Sequence, residues 1–233
     1  MKKWIMLSSL VVLLAGCRSN ILGGQTIIGW VDFIKWDGKE YIAINTGALA
    51  DEQYVGKQLG TVQFKVADNV TNPSYKTKDG DAAFHEKGTE IYAVEGEGDM
   101  IAVKDEQAIN GYRIYYESES TDYTWHFKDL PVDEVKKVEI YEAYTLEGSN
   151  RIADIINTED VARFLDILKN SKEDESFQPN TDNGDPLYYE IVLFTDESVA
   201  YKYNVQFDGT TYFWSPWDTA ILSNEIKQFI PYN

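Results

Sequence analysis

Two histidines, one cysteine and 39 acidic residues are the material for chemistry in this 233-residue chain. His85 sits in Phe84-His85-Glu86-Lys87 and His126 in Trp125-His126-Phe127, and no Gly-x-Ser-x-Gly turn presents a nucleophilic serine. A Ser/His/Asp triad needs one of these histidines aimed at a serine and oriented by an acid. Both read instead as surface or strand residues. Zinc and its relatives need clusters of His, Cys or carboxylate. Two isolated histidines supply none, so no metal centre, no catalytic residue and no cofactor is expected. Paired carboxylates for glycoside hydrolysis cannot be picked from so many Asp and Glu, because abundance singles out no pair.

Calcium is the sharper question, given Asp79-Gly80-Asp81 and Asp182-Asn183-Gly184-Asp185. In the helix–loop–helix calcium loop the sixth position is glycine, and positions 1 and 3 carry oxygen ligands, usually acids. Placing Gly184 sixth puts Pro179 first and Thr181 third. Placing Gly80 sixth puts Tyr75 first and Thr77 third. Both loops fail that pattern, although Glu190 and Glu86 fall at position 12. A looser calcium site stays open. The run Gly96-Glu97-Gly98 is acidic, which opposes phosphate binding. Aromatics are the one clear excess, with 16 Tyr, 10 Phe and 6 Trp. Strand-spaced aromatics are most often core, but Trp125, Trp214 and Trp217 are the candidate ligand contacts, since exposed rings stack on sugars or partner surfaces.

Cys17 has a different role. Lys2-Lys3, a mostly apolar run from Trp4 to Leu14 and the small residues Ala15-Gly16 precede it. That is the charged, apolar and small-residue order of a secretory signal, and the run is too short to span a bilayer, which takes about 20 residues. Leu14-Ala15-Gly16-Cys17 resembles the bacterial lipoprotein lipobox. The resemblance implies cleavage before Cys17, lipid on its sulfur and a location on the extracytoplasmic face of the cell membrane. Together with Gly80-Asp81-Ala82-Ala83-Phe84 and Lys87-Gly88-Thr89 it is similar to uncharacterised lipoproteins of Bacillus-like Gram-positive bacteria, a resemblance that implies an envelope location and no established activity. A chain starting at Cys17 loses Lys2 and Lys3, leaving 19 basic against 39 acidic residues, a formal charge of −20. Such a charge repels nucleic acid and anionic headgroups. It suits a cationic partner or divalent ions. With a single cysteine, no disulfide staples the fold.

The elements that must position these residues divide into segments: a signal peptide at 1–16, a lipidated tether at 17–25, a β-rich domain at 26–130 and an α+β domain at 131–233. Asp37-Gly38 is a favoured two-residue hairpin turn. It sets Trp36 opposite Lys39, Lys35 opposite Glu40, Phe33 opposite Ile42 and Val31 opposite Ile44. Short strands follow at 62–66, 81–84, 90–94, 100–103 and 112–116, the spacing of a small barrel or sandwich. Tyr123–Phe127 reads either as a further strand, in a hairpin with 112–116, or as part of a boundary between domains at 117–134. Beyond Pro131 the pattern predicts strands at 135–144 and 151–156, then a helix with Thr158 as its N-cap and Val161, Phe164, Leu165 and Leu168 on one face. Strands at 187–195, 199–207 and 212–214 follow. Ser215-Pro216-Trp217-Asp218 has the chemistry of a helix start, with Ile221, Leu222, Ile226 and Phe229 as its buried stripe. The order is ββαβββα, an antiparallel sheet with two helices.

The function expected is that of a membrane-anchored binding or interaction module acting on an envelope protein or wall component. A receptor for a small solute or an ion such as calcium is one alternative, and a wall-modifying hydrolase is another. The anchor is directly testable. Cys17→Ala should move the protein out of the membrane fraction or block its processing, and an unchanged, fully processed, membrane-bound product would exclude the lipid.

Overall fold

The hairpin at Asp37-Gly38 forms as its chemistry dictates. Both turn residues have positive φ, 50° and 75°, the mirror-image turn that matches strand twist. It joins β1 (Phe33–Trp36) to β2 (Lys39–Ala43) with Trp36 opposite Lys39, Lys35 opposite Glu40 and Phe33 opposite Ile42. Val31 falls outside the strand and is exposed, while the Ile44 N–H turns to the carbonyl of Ile114. The computed structural model describes residues 29–119, 123, 125–146, 148–182 and 184–231. The expected signal peptide, Cys17 and the tether to residue 25 lie outside the described residues.

The first half continues with β3 (Gly47–Leu49), β4 (Val55–Thr61), β5 (Phe64–Lys65), β6 (Asp81–Ala82), β7 (Glu90–Val94), β8 (Glu97–Lys104) and β9 (Tyr112–Glu117). All but β3 form one sheet in the order β4-β7-β8-β9-β2-β1-β6-β5, antiparallel except for the β5–β6 pair. The two ends of that path, β4 and β5, are joined in the chain by only Val62 and Gln63. The Val62 N–H donates to Thr89, and that of Gln63 to Gly80. The sheet must therefore curl until its edges nearly meet, around a core of Ile34, Val62, Ile91, Ile101, Val103 and Tyr115.

The second half supplies β10 (Lys137–Thr145), β11 (Gly148–Ile155), helix α1 (Thr158–Lys169), β12 (Lys172–Glu173), β13 (Leu187–Phe194), β14 (Val199–Phe207), β15 (Tyr212–Trp214) and β16 (Ala220–Ile221). They pair antiparallel as β11-β10-β13-β14-β15-β16-β12. One face of this sheet takes α1, burying Phe164, Leu165 and Leu168 against Ile140, Ile191, Leu193 and Val205. The result is the β-rich α+β fold that the residue patterns predict. Strand β3 belongs to this second sheet although it comes from the first half, and pairs with β14 through Leu49–Val199, Ala48–Ala200 and Gly47–Tyr201.

Three local expectations are corrected. The helix predicted after Ser215-Pro216 does not form. Residues 215–219 turn the chain back so that β16 pairs with both β15 and β12, and a short 3-10 segment, Asn224–Gln228, follows, capped by Ser223. Ala220 and Leu222 alternate inward as a strand does, and Ile226 and Ile230 complete the burial. Strand pairing outweighs the local capping signal. Nor is Tyr123–Phe127 a strand partner for β9, because β8 and β2 already occupy both of its edges. Phe127 begins a 3-10 turn instead. Finally, the cap of α1 is Asn157, one residue before Thr158, and its side-chain oxygen accepts from the N–H groups of Glu159 and Asp160.

The curl of the first sheet brings about one close approach. A Cβ on Gly60 in β4 would lie 2.2 Å from Cη2 of Trp36 in β1, so the indole rests on bare backbone. Gly60→Ala is therefore expected to cost about 1–3 kcal/mol through overpacking. At roughly 2–4 °C per kcal/mol for a chain of this size, calorimetry should read a clear fall in Tm. An unchanged Tm would mean that Trp36 does not lie this close to Gly60.

Candidate functional site

Between the sheets, Tyr123, Trp125 and Phe127 are each anchored. Tyr123 stacks on Tyr116 with centroids 5.7 Å apart, and its hydroxyl lies 2.8 Å from Oγ1 of Thr46. Burial pushes the Tyr123 phenol up to about 12. The carbonyl of Trp125 accepts from the Tyr203 hydroxyl at 2.5 Å. Phe127 is buried edge-on against Trp214 (4.9 Å) and Tyr203 (5.8 Å). With the Trp125 carbonyl and the Phe127 ring held, the Trp125-His126 pair is presented at the surface.

There it meets Trp217, brought in by the turn at 215–219. Ring centroids are 4.0 Å apart for Trp125–His126 and 4.2 Å for His126–Trp217, and the planes differ by 31° and 29°. Trp125 and Trp217 are 5.8 Å apart, shorter than a straight three-ring column would give. The rings therefore form a triangular platform. Trp125 is 38 % exposed and Trp217 64 %. Trp214, the third tryptophan singled out in the sequence, is corrected to core. It has no exposed surface, and its Nε1–H has no hydrogen-bond partner. The sequence reading passed over His126 as a stacking partner; its place between Trp125 and Phe127 was the available signal.

The charged candidates are absorbed into structure. His85 Nε2 lies 2.6 Å from the Tyr115 hydroxyl, which donates to Asp32 Oδ1 at 3.0 Å. With the phenol proton given to Asp32, His85 must donate from Nε2. Arg113 holds the other oxygen of Asp32 at 2.9 Å and pairs with Asp105 at 3.4 Å. Tyr115 is fully buried. This chain braces β9 against the segments at 32 and 85.

Asp79 accepts from the N–H of Gly38, and Asp81 from the Tyr75 hydroxyl and the N–H of Lys78. Both acids of that candidate calcium loop therefore hold turns. The other loop is only partly covered, because Asn183 lies outside the described residues. Among the described residues, no three His, Cys, Asp or Glu side chains converge as a metal site. A shallow hollow of about 640 Å³ is lined by Glu97, Asp99, Glu117 and Glu119, with Glu117 bound to Lys39 and Glu97 accepting from Ser198.

Two buried carboxylates are held ionised. Burial alone would raise Asp208, but the N–H groups of Asn180, Thr210 and Thr211 and the Thr210 hydroxyl hold it down to about 2. Burial works the same way on Glu139. There, hydrogen bonds from Lys137 and Tyr141, together with the Arg151 charge, carry it below the usual carboxylate range.

Burial acts on His85 in the opposite sense to its effect on those acids, lowering its affinity for a proton below the ordinary value of 6.5. The unfolded chain then binds more protons than the folded one between 6.5 and the lower folded value, so stability falls as pH drops through that window. Thermal melts between pH 7 and 5 should show this slope in the native chain and a flatter one in His85→Asn. Equal slopes would remove His85 as its source. No protein-family model matches the chain, and neither a curated protein nor a solved structure does.

Proposed function

We propose that this chain is a lipoprotein anchored through Cys17 on the extracytoplasmic face of the cell membrane. It acts there as a non-catalytic binding module of the envelope, and the Trp125–His126–Trp217 platform is its docking surface. The observation that carries this reading is the platform itself: two exposed indoles, packed against a histidine and fixed from below by Tyr203 and Phe127. Large rings on a rigid support are what binding hot spots are made of.

Charge argues for the kind of partner. A chain at −20 draws in cationic segments and repels anionic ones. Tryptophan is the best face for a guanidinium or ammonium group. The partner that fits both facts is a Lys- or Arg-bearing segment of an envelope protein.

The test is a tryptophan-fluorescence titration with an oligo-arginine peptide at low and high salt. Binding should weaken with salt. It should also weaken roughly 2- to 30-fold in Trp217→Ala, the range of a single cation–π contact, with Tm unchanged because that ring is exposed. Trp214→Ala, by contrast, should lose about 3–5 kcal/mol of stability as a core truncation. Salt-independent binding of a chito-oligosaccharide in place of the peptide would move the assignment to a wall glycan. A platform that binds neither probe is not a docking surface.

A further inference from the structure

The two sheets leave a cleft between them. On the face of the second sheet opposite α1, Ile109 packs with Ala48, Tyr141, Val192, Phe194 and Ala200. Strand alternation places Glu190, Lys202 and Asn204 on this same face, because Ile191, Tyr203 and Val205 face α1. Here that packing stops, and a cleft of about 340 Å³ remains. That is the lower end of the range for small-molecule sites, about 300–1,000 Å³.

The charges lining this cleft cancel in place. Lys202 Nζ donates to Glu190 Oε1 at 2.9 Å, and the Ser149 hydroxyl donates to the other oxygen of Glu190. Arg113, the remaining charged residue of the lining, is held by Asp32 and Asp105. Glu190 and Lys202 are only 14 % and 22 % exposed. An ionic ligand would find no uncompensated charge here to offset the loss of its own hydration, which is costly. A neutral ligand can join the pair instead. Lys202 keeps two unused N–H donors beside Glu190, and the exposed Asn45 and Asn204 amides each offer a donor and an acceptor. Hydroxyl groups, which both donate and accept, match that set.

The mouth adds a ring. Tyr144 is 84 % exposed and holds a φ of 60°, where its strand loses register between Glu142 and Thr145. A bulky residue in that conformation is an outlier and carries backbone strain. The hairpin end is clamped in this form. A Cβ on Gly148, itself at φ 93°, would meet the Gln107 carbonyl oxygen at 2.8 Å. Gly148 of β11 thus lies close against the loop that forms the other wall.

We propose that this inter-sheet cleft binds a neutral, hydroxyl-rich ligand of mono- or disaccharide size. Glu190–Lys202 and Asn204 supply its hydrogen bonds, and Tyr144 supplies a stacking face. The site shares no residue with the Trp125–His126–Trp217 platform and stands or falls apart from it.

Saturation-transfer NMR on the full chain in a sugar-free detergent tests it, with glucose, N-acetylglucosamine, chitobiose and maltose as neutral probes. Dialanine and citrate serve as the zwitterionic and anionic comparisons. At least one neutral sugar should bind saturably and outcompete both comparisons. Its affinity should fall about tenfold or more in Asn204→Ala and in Tyr144→Ala, both exposed positions whose truncation leaves Tm near that of the native chain. Trp217→Ala should leave it unchanged. The proposal is overturned if no neutral sugar binds, if dialanine or citrate binds more tightly, or if binding survives both cleft variants, whether or not it is lost with Trp217.

Discussion

The rest of the molecule depends on three residues of the first half pairing with the second sheet. Gly47–Leu49 extends β14 along the edge that β15 also uses further on. The approach is tight: a Cβ on Gly47 would lie 2.9 Å from Ile44 Cγ2 and 3.1 Å from Val199 Cγ1. Asn110 adds a second tie by donating its side-chain amide to the carbonyls of Leu49 and Ala50. Backbone pairing of this kind fixes register as well as contact. One apolar cluster then spans the junction, with Ile44, Leu49, Ala102 and Ile114 packed on Val199. The segment at 118–136 crosses between two sheets whose relation is already set, so Tyr123 can be tied to Thr46 and Trp125 to Tyr203.

Within this frame, buried polarity is spent on structure. The buried polar side chains among the described residues are Asp81, Glu139, Ser198 and Asp208, and each is hydrogen-bonded. An ionised group buried without partners costs several kcal/mol, so these bonds are conditions of folding. They also explain why the abundant acids were poor guides to function. Asp79 and Asp81 resemble a cation loop in one dimension, yet their oxygens are taken up by turn N–H groups and a phenol.

Much of the fold was legible wherever local chemistry and tertiary pairing agree. Asp37-Gly38 dictates its turn, and the register of β1 and β2 follows from it. Val161, Phe164, Leu165 and Leu168 make a helix that has a sheet face to cover. The sequence misled where the two disagree. Ser215-Pro216-Trp217-Asp218 carries helix-start chemistry, but Phe213 and Lys172 offer Ile221 strand partners on both sides. The site was legible only in part. Trp125, Trp214 and Trp217 are alike as letters, and their exposure is decided by which neighbours fold over them. Glu190 and Lys202 did leave a trace, as charged residues inside the apolar runs of β13 and β14. Reading it requires knowing that both face away from α1, which no single strand reveals.

The buried tryptophan explains the exposed ones. Trp214 keeps an unpartnered Nε1–H in the core, a desolvated donor that costs about 1–3 kcal/mol. A phenylalanine would avoid that cost but has a smaller ring. The indole's breadth lets it meet Phe127 edge-on at 4.9 Å and Tyr203 at 5.7 Å together. Those two contacts set Phe127 in its socket and hold Tyr203 where its hydroxyl reaches the Trp125 carbonyl. Trp125 and His126 are thus held through the Trp125 carbonyl and the buried Phe127 ring, which lessens the conformational entropy left to lose when a partner lands on them. The unsatisfied donor inside and the ordered platform outside are two consequences of the same packing.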